Sequence, residues 1–377
     1  MNLWLTVTPW LLAAPAGDIE FQIASVPLSE TPRRLAAADL DDDADTDLFV
    51  VENGAGDTAR LEVLLNDQGT FVLGWSHVES VSSSGSEIWD VDLGDTDDDG
   101  DADVVYCVPF GSPRQRFNDG AGNFPQLTGL PTFPFQFEHT LGDVDEDGCL
   151  DVVYYEPDIF FDTYFGTLDG NCDGTFFFGN DFVMLSADVE VRRRIALGDV
   201  TGDGLTDGTF TSLVSGLRFF RGAWAVPGPG GPGWTSPKLL DPTPCADAVI
   251  ADFDADGRPD IAATVPSLDA IEVFRTNAHG APGLPRHYAA GDSPLGLVAT
   301  DIDLDGSLDL AVIGSTLPAV QLLRGRGNGS FHPPVAVHVG DVPWDLVAAD
   351  LDGDTDPDLA LTCPGDVSLT LLLNATR

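Results

Sequence analysis

Positive charge is what this sequence has least of: 17 Lys and Arg stand against 62 Asp and Glu, a formal charge of −45 over 377 residues. Such a balance repels phosphate backbones and anionic headgroups, which argues against nucleic acid or an acidic membrane surface as a partner. Cysteine is also scarce. The five present (Cys107, Cys149, Cys172, Cys245, Cys363) show no C-x-x-C spacing, so a zinc site is not indicated, and their odd number leaves at least one outside any intrachain pair. The six histidines (His77, His139, His279, His287, His332, His338) include no i, i+4 pair and no H-E-x-x-H, and neither a G-x-S-x-G elbow nor a phosphate loop occurs. No preassembled catalytic motif is therefore readable. Long apolar runs are missing as well: the longest, from Leu3 to Ala14, falls short of the ~20 residues that a membrane span needs. It ends in the small-residue pattern Ala14-Pro15-Ala16 before Gly17, which predicts a secretory signal peptide over 1–16, although no Lys or Arg precedes the run.

What the sequence has in abundance is aspartate, and it is clustered. A nine-residue segment recurs seven times: DLDDDADTD from Asp39, DTDDDGDAD from Asp95, DVDEDGCLD from Asp143, DVTGDGLTD from Asp199, DFDADGRPD from Asp252, DIDLDGSLD from Asp301 and DLDGDTDPD from Asp350. The starts lie 56, 48, 56, 53, 49 and 49 residues apart. A period near 50 marks a propeller or solenoid, whose units bury their faces only against neighbours, so one repeat domain over 17–377 replaces two or three unrelated ones.

Positions one, three, five and nine of the segment are the candidate metal ligands. They are Asp39, Asp41, Asp43 and Asp47; Asp95, Asp97, Asp99 and Asp103; Asp143, Asp145, Asp147 and Asp151; Asp199, Thr201, Asp203 and Asp207; Asp252, Asp254, Asp256 and Asp260; Asp301, Asp303, Asp305 and Asp309; and Asp350, Asp352, Asp354 and Asp358. Thr201 is the single exception among 28 positions. Calcium takes six to eight hard oxygen ligands, and alternate residues of a tight loop turn their carboxylates toward one centre. Glycine at position six permits the sharp turn in five loops; Ala44 and Thr355 replace it in the first and seventh and must accept a less favourable backbone. The competing reading is a solvated acidic turn, which requires no fixed spacing. An EF-hand requires a Glu at position twelve and flanking helices. Position twelve here holds Val50, Tyr106, Tyr154, Phe210, Ala263, Val312 and Leu361, none of which can coordinate calcium.

The residues around each loop read as strands. Short apolar runs follow the ninth position (Leu48-Phe49-Val50, Val104-Val105-Tyr106, Leu310-Ala311-Val312), and runs of small apolar residues precede the first (Leu35-Ala36-Ala37-Ala38, Leu346-Val347-Ala348-Ala349). A third strand ends in an Asn/Asp/Gly turn, as in Leu64-Leu65-Asn66-Asp67-Gln68-Gly69, and the Phe that closes the turn begins a fourth. The fold class predicted is all-β: a seven-bladed β-propeller of four-stranded blades. Since the last repeat stops after its third strand, Glu20 to Val26 is expected to supply the missing strand and close the ring.

D-x-D-x-D-G-x-x-D between strands, followed 15 to 20 residues on by L-L-N-D-x-x-G-x-F, resembles the FG-GAP or VCBS-type repeat over nearly the whole chain after residue 20. Integrin α-subunit propellers and many secreted bacterial repeat proteins are similar. The resemblance implies a secreted, extracellular or periplasmic propeller, compatible with cell-surface association, with up to seven calcium ions in its inter-strand loops; it implies no particular ligand. Residues six before each first Asp are expected to ring the far mouth: Arg33, Trp89, Phe137, Arg193, Ala246, Leu295 and Trp344. Arg33, Trp89, Phe137, Arg193 and Trp344 are the candidate contacts to a protein or carbohydrate ligand, since binding patches use aromatic and Arg anchors; equally, such side chains can simply pack the channel. A non-catalytic binding or adhesion module is the reading favoured. The alternatives are a lectin-like sugar binder or a polysaccharide-active lyase or hydrolase at that mouth, for which a cluster of acids with His139 would speak.

Overall fold

A computed structural model describes residues 19–54, 57–81, 88–108, 113–131, 138–157, 163–179, 182–184, 194–223, 233–235 and 237–376. The segment 1–16, read as a signal peptide, lies outside them, as do Phe137 and Arg193.

Seven four-stranded antiparallel blades stand around a central axis, five of them built from strands consecutive in the chain. The first blade runs Thr31–Ala38, Asp47–Asn53, Thr58–Asp67, Thr70–Ser80 from the axis outward. The next two begin with Asp90–Gly94 and Glu138–Gly142, then come Ile195–Gly198, Ala248–Ala251, Pro294–Thr300 and Asp345–Ala349. As the sequence implies, each aspartate segment links the first two strands of a blade, and ladder pairing resumes at its ninth position (Ala38 opposite Asp47, Ala349 opposite Asp358). The ring closes as expected: Phe21–Pro27 pairs antiparallel with Ser368–Asn374, from Phe21 opposite Asn374 to Pro27 opposite Ser368. It thereby becomes the outer strand of the seventh blade.

After their opening Asp, second strands are mainly apolar because both of their faces are covered by neighbouring blades. Asp260–Val265 is buried at every residue. The described residues form seven apolar clusters, one at each blade-to-blade interface. In the cluster joining blades one and two, Phe49, Leu61 and Val63 meet Val104, Tyr106 and Phe124; in that joining seven and one, Leu369 and Leu371 meet Leu48 and Leu64. At roughly 25 cal/mol per Å² of apolar area, these interfaces are the chief stabilising term of the ring.

One local reading is corrected, and two further features come into view. The Phe that closes each turn does not uniformly begin the fourth strand. Phe71 does, but Phe124 and Phe331 are buried plugs that precede the outer strands Gln126–Gly129 and Val335–His338. Phe124 packs edge-on against Phe49 of the preceding blade at 5.4 Å, because a large ring there fills the wedge that widens outward between blades. In blade four a further strand pair stands between the third strand, Leu217–Phe220, and the outer strand, Lys238–Asp241. Gly233–Trp234 pairs with Gly222–Ala223, and the Trp234 ring lies tilted against that of Phe220, centroids 4.5 Å apart. Finally, two of the five cysteines do pair: a Cys149–Cys172 disulfide ties the third aspartate loop to the turn beyond the third strand, while Cys107, Cys245 and Cys363 are buried thiols.

Candidate metal loops and the channel mouth

All seven loops share one backbone. Positions four and six both lie in the left-handed region, from Asp42 (φ 62°) and Ala44 (φ 72°) to Gly353 (φ 79°) and Thr355 (φ 76°). The carboxylate of position one holds this shape by accepting N–H bonds from later residues: Asp95 from Asp99 and Gly100 at 3.2 and 2.9 Å, Asp301 from Asp305 and Gly306 at 3.0 and 2.9 Å. Position five accepts from position seven, as Asp305 does from Ser307 at 2.8 Å. Position two is apolar or Thr and buried (Leu40, Thr96, Val144, Val200, Phe253, Ile302, Leu351), pinning the loop into the blade interface. A β-branched residue in the left-handed region is strained. We expect Thr355→Gly to stabilise the protein by roughly 0.5–1 kcal/mol, the relief of strain outweighing the added freedom of the unfolded chain, as a higher urea midpoint would register.

The ninth position has a second task beyond the one its spacing suggested. Asp47, Asp103, Asp151, Asp207, Asp260, Asp309 and Asp358 are each at most 1% exposed. One oxygen of each accepts an N–H from the end of the third strand, for example from Asn66 at 2.7 Å and Asn374 at 2.6 Å. In five blades the other accepts from position two of the loop, as Asp47 does from Leu40 and Asp358 from Leu351, both at 2.8 Å. These carboxylates fasten loop to sheet. Their remaining lone pairs still face the loop: Asp143, Asp145 and Asp151 offer oxygens within 4.8 Å of one another, as do Asp252, Asp254 and Asp260.

Position three carries the decisive geometry. Buried side-chain oxygens without a hydrogen-bond partner occur at Asp41, Asp97, Thr201, Asp254, Asp303 and Asp352, the same loop position in six of the seven blades. A buried unpaired oxygen is costly, and six at one repeat position indicate a common missing partner rather than isolated defects. Hard-oxygen donor sets of this kind fit a calcium-sized cation. At Asp254 the arrangement differs, since its other oxygen already accepts from Arg275 Nε at 2.7 Å.

Burial dominates the electrostatics and pushes Asp47, Asp103, Asp207 and Asp260 up to about 6 and Asp151, Asp309 and Asp358 up to about 7. A carboxyl whose folded pKa exceeds its unfolded value near 3.8 contributes stability that is complete at low pH and lost as pH rises through 6 to 7. Metal-stripped protein should therefore melt at lower temperature at pH 8 than at pH 5. A bound divalent cation favours the ionised form, so calcium should raise the melting temperature more at pH 8. Melts at both pH values, with chelator and with calcium, check the sign.

At the opposite mouth, the guanidinium of Arg33 stacks 5.0 Å over the Trp344 ring, joining blades one and seven. Trp89 is half-buried and its carbonyl accepts from Arg34 Nε. Ala246 is buried, and Leu295 sits in a ladder irregularity. The residues that face the channel are those one place later. Arg34, Asp90, Arg194, Asp247 and Asp345 line a cavity of about 360 Å³ on the axis, together with Asp92. Arg194 bridges Asp90 at 3.1 Å and Asp345 at 3.4 Å across it. Asp90, Asp247 and Asp345 each also accept an N–H from the inner strand of the next blade, from His139, Leu297 and Leu35 at 3.0, 3.1 and 3.2 Å. Counting from the loops could have found this ring, because the residue five before each first Asp is charged in six of seven repeats (Arg34, Asp90, Glu138, Arg194, Asp247, Asp345) and glycine in the other.

With blades, loops and channel described, the class is a seven-bladed β-propeller, and comparison with known proteins adds the repeat type. A model of the FG-GAP-like repeat matches residues 252–312 and 301–361, so the chain carries FG-GAP-like repeats. No curated protein matches the sequence. Among solved structures, BBS1N in complex with ARL6DN is similar at TM-score 0.59 and 10% identity, over 92% of this chain and 93% of that one. An inactive variant of virginiamycin B lyase from Staphylococcus aureus, with quinupristin, is similar at 0.56 and 12%, over 94% and 99%. A protein from Lactobacillus plantarum follows at 0.58 and 14%, over 90% and 96%. At these identities the likeness is one of fold. No helix among the described residues is long and apolar enough to cross a membrane.

Proposed function

We propose that this chain is a secreted, calcium-binding β-propeller that acts as a binding or adhesion module. Up to seven structural ions would sit in the inter-strand loops, and the ligand, a protein or a carbohydrate, would be taken at the mouth bearing Arg33, Trp89 and Trp344. The observation that carries the metal reading is the set of six buried, unpaired oxygens at the third loop position. The Cys149–Cys172 disulfide supports an oxidising compartment outside the cytosol. The Arg33–Trp344 stack supplies a cation and an aromatic face in one place, the materials of a binding hot spot. That BBS1N, of similar fold, is found in complex with ARL6DN supports a protein partner.

Metal analysis of purified protein equilibrated in calcium tests the first half: several ions per chain are expected, and none would sink it. A glycan and extracellular-protein array probed with wild type and Trp344→Ala tests the second. Signals lost in the variant support recognition at this mouth, while signals kept in full place recognition elsewhere. An enzyme at the same mouth is the second reading. It is favoured by one observation, that His139 stands within 3.8 Å of both Asp90 and Asp92 beside the channel.

A further inference from the structure

The seven repeats serve as internal controls for one another, and two of them depart from the rest at a single place. Four residues before the first loop Asp, six blades carry an apolar side chain (Leu35, Val91, Ile195, Ala248, Leu297, Leu346) and blade three carries His139. Three residues before it, six blades carry Ala, Val or Thr and blade two carries Asp92. The two exceptions belong to adjacent blades and meet at their interface. His139 Nε2 lies 3.8 Å from Asp92 Oδ2, and its Nδ1 lies 3.7 Å from Asp90 Oδ2.

We propose that Asp90, Asp92 and His139 form a site for one divalent transition-metal ion of the zinc, manganese or iron(II) class, separate from the calcium loops and opening on the central channel. One ligand atom from each residue lies within 4.8 Å of the other two. Ligand atoms around an ion of that size stand roughly 3–3.5 Å apart, so the three groups need to draw in by about an ångström. Asp92 Oδ2 is buried and makes no hydrogen bond, which leaves it free to ligate. Imidazole beside carboxylates selects a borderline transition ion, whereas the loops, which offer oxygen alone, select a hard one.

The surroundings suit such a centre. Turned to a metal through Nε2, the ring has its Nδ1 3.2 Å from the Cys107 sulfur, which fixes its orientation. Without a metal, Nε2–H donates to the Val105 carbonyl at 3.1 Å, so binding exchanges that hydrogen bond for a metal bond and moves the ring's proton to Nδ1, which faces the Cys107 sulfur. Asp90 is held by Arg194 and by the His139 backbone N–H. Both carboxylates border the channel cavity, so water or a small ligand has access to the remaining coordination positions.

The test uses the full-length folded protein in millimolar calcium, which masks the loops, titrated with cobalt(II) and then passed over a desalting column. One equivalent of cobalt should be retained, with visible absorption and imidazole-nitrogen coupling in its pulsed electron paramagnetic resonance spectrum. Asp92→Asn, a shape-preserving change at a partly exposed side chain, should weaken retention at least roughly tenfold, and His139→Gln should also abolish the nitrogen coupling. Failure to retain cobalt in calcium, or equal retention by wild type and Asp92→Asn, would overturn the proposal. Because calcium saturates the loops in every arm, loss of the loop reading would appear separately, as no calcium bound.

Discussion

Excess chelator should lower the melting temperature of this protein by on the order of 15 °C, and millimolar calcium should restore it. A site held at about a hundred times its Kd stabilises the fold by about 2.7 kcal/mol. For a chain of this length the unfolding entropy converts 1 kcal/mol into roughly 1–2 °C, so four or more occupied loops reach the stated size. The effect should be cooperative among blades because the loops are tied to one another. Asn66 donates to the Leu351 carbonyl in the loop of blade seven, Asn118 to Leu40 in that of blade one, and Asn374 to Ile302 in that of blade six, at 2.8 to 3.0 Å. Releasing one ion loosens a loop on which the next blade's turn rests. An unchanged melt together with no bound metal would return the aspartates to acidic turns.

The second large effect is expected from the closing strand. Deleting residues 1–28 removes seven main-chain pairs with Ser368–Asn374 and strips Phe21, Ala24 and Val26 from their clusters. The apolar loss alone is roughly 5 kcal/mol, the scale of an entire domain's stability. It also bares the edge of the last blade, a template for pairing with another chain. The truncated protein should therefore elute as aggregates in gel filtration, and a peptide spanning 19–28 added during refolding should return part of it to monomer. Deleting only 1–16 should leave the melt unchanged. A monomeric, fully stable 29–377 fragment would refute the closure as a stabilising element.

Much of this architecture was legible because the nine-residue aspartate loop fixes strand direction, hairpin order and period at once. The strand closing the ring followed from a count of strands per repeat. The mouth was harder to read. Alternation along a strand assigns faces only if no residue is inserted, and the first strands of blades one and six are irregular between Pro32 and Arg34 and between Pro294 and Gly296. The bulges do not account for the offset, however: Asp90, Arg194, Asp247 and Asp345 line the channel from first strands with unbroken register just as Arg34 does, so the channel-facing position is five residues before the loop in bulged and regular blades alike. The main-chain anchoring by Asp47 and its counterparts was hidden for another reason: it calls for the same residue at the same spacing as the proposed metal ligation. The pairing of Cys149 with Cys172 depends on a turn packing against a loop, a contact that no local pattern encodes.

The strand pair that closes the ring also sets how the molecule carries mechanical load. Its two partners are antiparallel, with Phe21 opposite Asn374, and Ala375 donates to the Glu20 carbonyl at 2.7 Å, so residues 19–20 and 375–376 lie side by side at the rim. Tension applied between residues 19 and 376 would peel that pair apart one hydrogen bond at a time, as a zipper opens, instead of loading all the bonds together in shear. The ring would then yield to a modest pull between residues 19 and 376, whereas a pull between one of them and a ligand at the channel mouth would leave the zipper closed.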